Sequence, residues 1–214
     1  MKAYVENQLN LLIERRPQLA EQKEQVVALF ELIAESYRNG GKLLVCGNGG
    51  SCADSEHIVG ELMKSFMLKR PINDEVRANL AAYGEDGARL ADQLEGALPA
   101  IALGGHNALS TAFLNDKDPL LVYAQQVMGF GRAGDVLIAI STSGNAKNCA
   151  FAAKTAKALG MRVAALTGSR PSALSELADV TVQVPSTETY MVQEYHLSVY
   201  HTLCAMLEGE FFAD

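Results

Sequence analysis

The stretch KLLVCGNGGSCADSEHIVGEL, residues 42–62, decides the fold. Its first half is a short apolar run that breaks into glycines, which reads as a strand buried on both faces. Its second half reads as a helix from about Ser51 to Phe66. A strand that turns through Gly47-Asn48-Gly49-Gly50-Ser51 into a helix is the opening of a βαβ unit.

The same rhythm continues outward. LPAIALG (98–104), DVLIAIST (135–142), RVAALTG (162–168) and VTVQVP (180–185) read as further strands. Helices follow the last three, over residues 146–160, over 172–178 and from about Tyr190 to Phe211. This alternation predicts an α/β fold, a doubly wound, flavodoxin-like sheet of five parallel strands. Two helices precede it within residues 1–40, separated by Pro17 and stopped by the NGG at 39–41. Residues 72–97 break the rhythm. They read as an insertion of two short amphipathic helices around GEDG, covering a face or an opening. The whole, 1–214, is expected to form one domain.

Composition excludes several classes of function. Hydrophobic residues make up 49% of the chain, enough for a substantial core. The net charge is −7 and no basic cluster occurs, which argues against nucleic acid as a partner. The N-terminal residues carry scattered charges and do not resemble a signal peptide. No apolar run is long enough for a membrane span. Cys46, Cys52, Cys149 and Cys204 lie far apart without CxxC spacing, as expected of reduced thiols in a cytoplasmic protein.

Two loops carry anion-binding chemistry. Asn48, Gly49, Gly50 and Ser51 form the first; Ser141, Thr142 and Ser143 lead the second, which ends in Gly144-Asn145. Glycine lets the backbone approach an anion, hydroxyls donate to it, and a helix N-terminus offers free N–H groups. Either loop alone is adequately explained by helix capping. Two of them on one sheet point to a phosphate site built without lysine. Neither the dinucleotide fingerprint nor a P-loop is present. His57 and Glu61, four residues apart, share one helix face a turn beyond the first loop, so an anchored phosphate ester would extend toward them.

The runs CGNGGS, AISTSGN, ALTG and VQEYHLSVYH resemble the sugar isomerase (SIS) domain family, and within it the sedoheptulose 7-phosphate isomerases. The resemblance covers nearly the whole chain except residues 72–97. It implies a cytoplasmic homotetramer with active sites at subunit interfaces, a bound divalent metal (zinc) and the interconversion of an aldose phosphate and a ketose phosphate through an enediol. By the same resemblance, Ser51, Ser141, Thr142 and Ser143 hold the phosphate, and Asn115 and Asp116 lie near the substrate. His57, Glu61, Gln193 and His201 match the metal ligands, with Glu61 as base, His201 as its acid–base partner, and Gln193 close to substrate as well. Gln193 and His201 are spread over about 12 Å of a straight helix, which contribution from different subunits accommodates more easily. His196 reads as a core histidine and His106 as a loop residue.

Three positions depart from the family pattern. Ser65 stands where an arginine is usual, Ala146 where a serine is common, and TYMVQ (189–193) where an aspartate often precedes the glutamine. The substrate expected is therefore sedoheptulose 7-phosphate or another anionic sugar, such as a hexose phosphate or the sulfonated hexose sulfoquinovose. A non-catalytic tetramer that binds a replication initiator is the rival of another class. Retention of His57 and Glu61 weighs against it.

Overall fold

A computed structural model describes residues 1–213. Five strands, β1 (Leu43–Gly47), β2 (Ala100–Ala102), β3 (Val136–Ser141), β4 (Arg162–Thr167) and β5 (Val180–Gln183), form one sheet in the order β2-β1-β3-β4-β5. Every neighbouring pair is parallel, with Leu43 beside Val136 and Gly47 beside Ile140. After β1 the chain steps outward to β2 and then returns across β1 to β3. The reversal lies between β1 and β3, and ligands of such sheets bind at the carboxyl ends of the strands there.

Burial on both faces explains the continuous apolar runs. Leu43 and Val45 join a core with α1 (Ala3–Arg15), α2 (Lys23–Arg38), α3 (Gly50–Met63) and α10 (Thr189–Phe212). Leu44 and Cys46 face the opposite core, with α7 (Val122–Phe130), α8 (Lys147–Ala158) and α9 (Ala173–Leu177). Pro17 opens a 3-10 turn, Pro17–Gln22, between α1 and α2, as its fixed φ favours at a first helical position.

Three details differ from the sequence reading. Helix α3 stops at Met63 and does not reach Phe66. The buried Glu208 carboxylate accepts the N–H groups of Phe66, Met67 and Leu68, while Arg70 donates to the carbonyls of Leu62 and Glu61. This pair satisfies the helix end and bends the chain away. Second, the insertion is a helical hairpin, α4 (Asp74–Leu80) and α5 (Gly84–Gln93), but GEDG begins α5 and does not separate the two helices. Its base is closed by a Pro71–Glu95 bridge and by Ser65, whose N–H and hydroxyl donate to Glu95. The hairpin packs chiefly on itself and lies over neither sheet face. Third, helices α6 (Asn107–Asp116) and α7 lie between β2 and β3, where sequence periodicity gave no helix.

Candidate active site

Helices α3 and α10 run side by side in the same direction. Gly50 packs against the Gln193 amide, His57 meets Tyr200 and His201, and Leu62 is joined through Arg70 to Glu208. This seam carries both halves of the site.

The two loops expected to bind an anion occupy its N-terminal end. Gly49, at φ 57°, makes the turn that lets α3 begin directly at the strand end. Gly144, at φ 69°, does the same in the β3 loop, and its close approach to Ser172 leaves no room for a side chain. Asn48, Gly49, Gly50, Ser51, Ser141, Thr142 and Gln193 line one cleft of about 270 Å³. The two loops are braced together, because the side-chain amides of Asn48 and Asn148 exchange hydrogen bonds of 2.9 and 2.8 Å. Ser143 is exposed, and its hydroxyl accepts from the Asn145 N–H.

Two turns along α3 lies the second group. His57 Nε2 is 3.1 Å from Glu61 Oε1 and 3.4 Å from His201 Nε2. The ligand-type atoms of these three residues all lie within 4.8 Å of one another. On its other side, His57 Nδ1 is 3.0 Å from the Tyr200 hydroxyl, which donates to Asp54 Oδ1 at 3.2 Å. When the hydroxyl donates to Asp54, the phenol oxygen is free to accept from Nδ1–H, and Nε2 then presents its lone pair to Glu61. Two acceptors then face each other, an arrangement that suits a proton or a cation between them. Two imidazoles and a carboxylate form a donor set favoured by zinc. Burial, then the neighbouring His57, holds His201 below the usual histidine range, with Glu61 opposing. Burial pushes the Asp54 carboxyl and the Tyr200 phenol up, so the phenol keeps its proton. A cavity of about 310 Å³, lined by Leu11, Arg15, Phe66, Met67 and His201, opens beside the cluster.

Three of the four expected metal ligands converge within one chain. The fourth, Gln193, lies at the cradle, because parallel packing pairs it with Gly50 two turns before His201. Asn115 and Asp116 are not brought to the cradle of their own chain. They sit at the exposed end of α6, bonded to each other. His196 is fully buried and bonded to the Thr167 carbonyl, as a core histidine would be. His106 packs its ring against Phe130. Sequence reasoning missed Asp54, Tyr200, Asn148, Arg70 and Glu208. Asp54 carried a usable signal, since it precedes His57 by three residues on the same helical face.

Comparison with known proteins identifies the family. The family model described as SIS domain matches residues 4–97 and 90–168. A phosphoheptose isomerase of Clostridium acetobutylicum is 34% identical over 217 aligned residues, covering 100% of this chain and 98% of the relative. One from Akkermansia muciniphila is 32% identical and covers 99% of each chain. The solved phosphoheptose isomerase of Neisseria gonorrhoeae superposes with a TM-score of 0.73 at 32% identity, covering 91% of both chains. The chain therefore belongs to the SIS domain family and is a sugar isomerase within it.

Proposed function

We propose that the chain interconverts sedoheptulose 7-phosphate and an aldoheptose 7-phosphate through an enediol. The observation that carries this reading is the placement of the anion cradle and the His57–Glu61–His201 cluster on one helical seam. Between Ser51 and His57 a helix rises about 9 Å. A phosphate held in the cradle therefore leaves the far end of a sugar chain at the cluster, where aldose and ketose differ. The phosphoheptose isomerase names of the relatives support the same substrate.

The chemistry assigned to the residues follows from their positions. Glu61 Oε1 faces His57, which leaves Oε2 to take the proton from one carbon and return it to its neighbour. His201, whose pKa burial lowers, exchanges a proton at the substrate oxygens when its Nε2 is not engaged by an ion. His57 Nε2, Glu61 Oε1 and His201 Nε2 would hold a divalent ion, zinc by donor type, which would polarise the substrate carbonyl. Ser51, Ser141 and Thr142 bind and orient the phosphate, with Gln193 at the junction with the sugar.

The exposed side chains of Leu11, Met67 and Leu197 near His201 support assembly into a homo-oligomer, a tetramer in this reading, with the cluster at a subunit interface. Asn115 and Asp116 would then serve a neighbouring subunit. The four free cysteines support a reducing, cytoplasmic setting. Among the described residues no helix is long and apolar enough to cross a membrane.

Turnover of sedoheptulose 7-phosphate, with added zinc and again with chelator, tests the proposal on wild type and Glu61→Gln. Product from wild type alone, abolished by chelator, is expected. Turnover of a hexose phosphate or a sulfonated hexose in place of the heptose would overturn the substrate. Full activity in Glu61→Gln would overturn the role of Glu61.

A further inference from the structure

We infer that Asp54 and Tyr200 form a positioning relay that fixes the tautomer and ring plane of His57. The inference rests on reading the His57–Glu61–His201 cluster as the reaction centre. The relay runs from Asp54 Oδ1 through the Tyr200 hydroxyl, at 3.2 Å, to His57 Nδ1, at 3.0 Å. The Tyr200 side chain is 1% exposed, so its hydroxyl has no bulk water to turn to. The Tyr200 and His57 rings meet edge to face, with centroids 5.5 Å apart, which sets the imidazole plane as well as its protonated nitrogen.

The competing arrangement is specific. A free neutral imidazole favours Nε2–H, and Glu61 Oε1 stands 3.1 Å from Nε2, ready to accept that proton. Such a bond would close the nitrogen that the cluster needs open. Asp54 and Tyr200 oppose it by placing a hydrogen-bond acceptor at Nδ1, which stabilises the Nδ1–H form and keeps the Nε2 lone pair on the cluster. The cost is visible at Asp54. Its Oδ2 is buried and has no hydrogen-bond partner among the described residues. Leaving a buried acceptor unpaired is destabilising. A seam built only for packing would carry an apolar residue there. The other oxygen of Asp54 orders a tyrosine that orders a histidine.

The test reads the tautomer directly. Long-range proton–nitrogen spectra of the ¹⁵N-labelled, metal-free protein, taken well above the imidazole titration range, report which nitrogen of His57 carries hydrogen. Wild type is expected to show Nδ1–H, and Tyr200→Phe, which keeps the ring and deletes the hydroxyl, to shift toward Nε2–H. Asp54→Asn retains an acceptor for the phenol and is expected to fall between them, with Asp54→Ala close to Tyr200→Phe. Zinc competition with a chromophoric chelator should show affinity lower by roughly 10–100-fold in Tyr200→Phe. An Nε2–H form in wild type, or an unchanged tautomer in Tyr200→Phe, overturns the relay. If wild type binds no zinc, the metal reading fails while the spectra still decide the relay. Should Tyr200→Phe not fold, the Asp54 variants decide it by the same spectra.

Discussion

Arg70 donates from Nε to Glu208 Oε1 at 2.7 Å, with both side chains fully buried. The pair is more than an isolated salt bridge. Glu208 also accepts three backbone N–H groups, and Arg70 also holds the carbonyls of Leu62 and Glu61. It therefore ends α3 and fixes the backbone of the proposed base.

Removing one partner leaves an uncompensated buried charge. Glu208→Gln is expected to lower unfolding free energy by about 3–5 kcal/mol. The double variant Arg70→Met with Glu208→Leu should recover only part of this loss, since the N–H groups of residues 66–68 still lack an acceptor. Urea unfolding of the three proteins measures both effects. Full recovery in the double variant would mean that the backbone bonds contribute little.

His196 gives the protein an acid sensitivity with a defined window. Burial lowers its pKa from 6.5 to about 4, against the opposing bond to Thr167. The unfolded chain takes up the proton first as pH falls. Stability is therefore intact above 6.5 and declines until about 4, where the loss levels off. The loss amounts to about 3 kcal/mol at 1.36 kcal/mol per unit. Denaturant unfolding across that range should show it, and His196→Gln should flatten the dependence. An equal slope in the variant would assign the acid loss to other groups.

The cradle should act on binding more than on turnover. Ser51 and Ser141 are nearly buried where they line the cleft, at 3% and 7% exposure. A hydrogen bond to a charged group is worth about 1.5–3 kcal/mol. Ser51→Ala or Ser141→Ala should thus raise KM for the sugar phosphate roughly tenfold or more, with kcat changed far less. Steady-state kinetics separates the two. A loss confined to kcat would place these hydroxyls at the reacting carbons.

The sheet was legible because its information is local. Leu43–Gly47 and Val136–Ser141 are buried throughout and, Ser141 at the strand end aside, carry no polar side chain, since both faces of a central parallel strand are covered. His57 and Glu61 were legible for the same reason, their spacing being a property of one helix. The end of α3 was not, because Glu208, far along the chain, supplies the acceptors that stop it at Met63. Helix α6 was missed because it buries none of its residues, so no apolar stripe marks it. The position of Gln193 followed from the parallel pairing of α3 with α10. Only tertiary packing sets that pairing, and it separated Gln193 from the cluster that the family resemblance had joined to it.

The β3 loop is held on three sides. Asn148, which opens α8 just beyond it, pairs with Asn48; Gly168 N–H donates to the Thr142 carbonyl; and Ala173 N–H donates to Asn145 Oδ1. Its shape does not wait for a ligand. A phosphate bound there, as proposed, would meet dipoles already aligned, and little of its binding free energy would be spent on restricting backbone motion. What such an anion would gain at the cradle is thereby left to hold the remainder of the sugar against the His57 seam, in a register set before the molecule arrives.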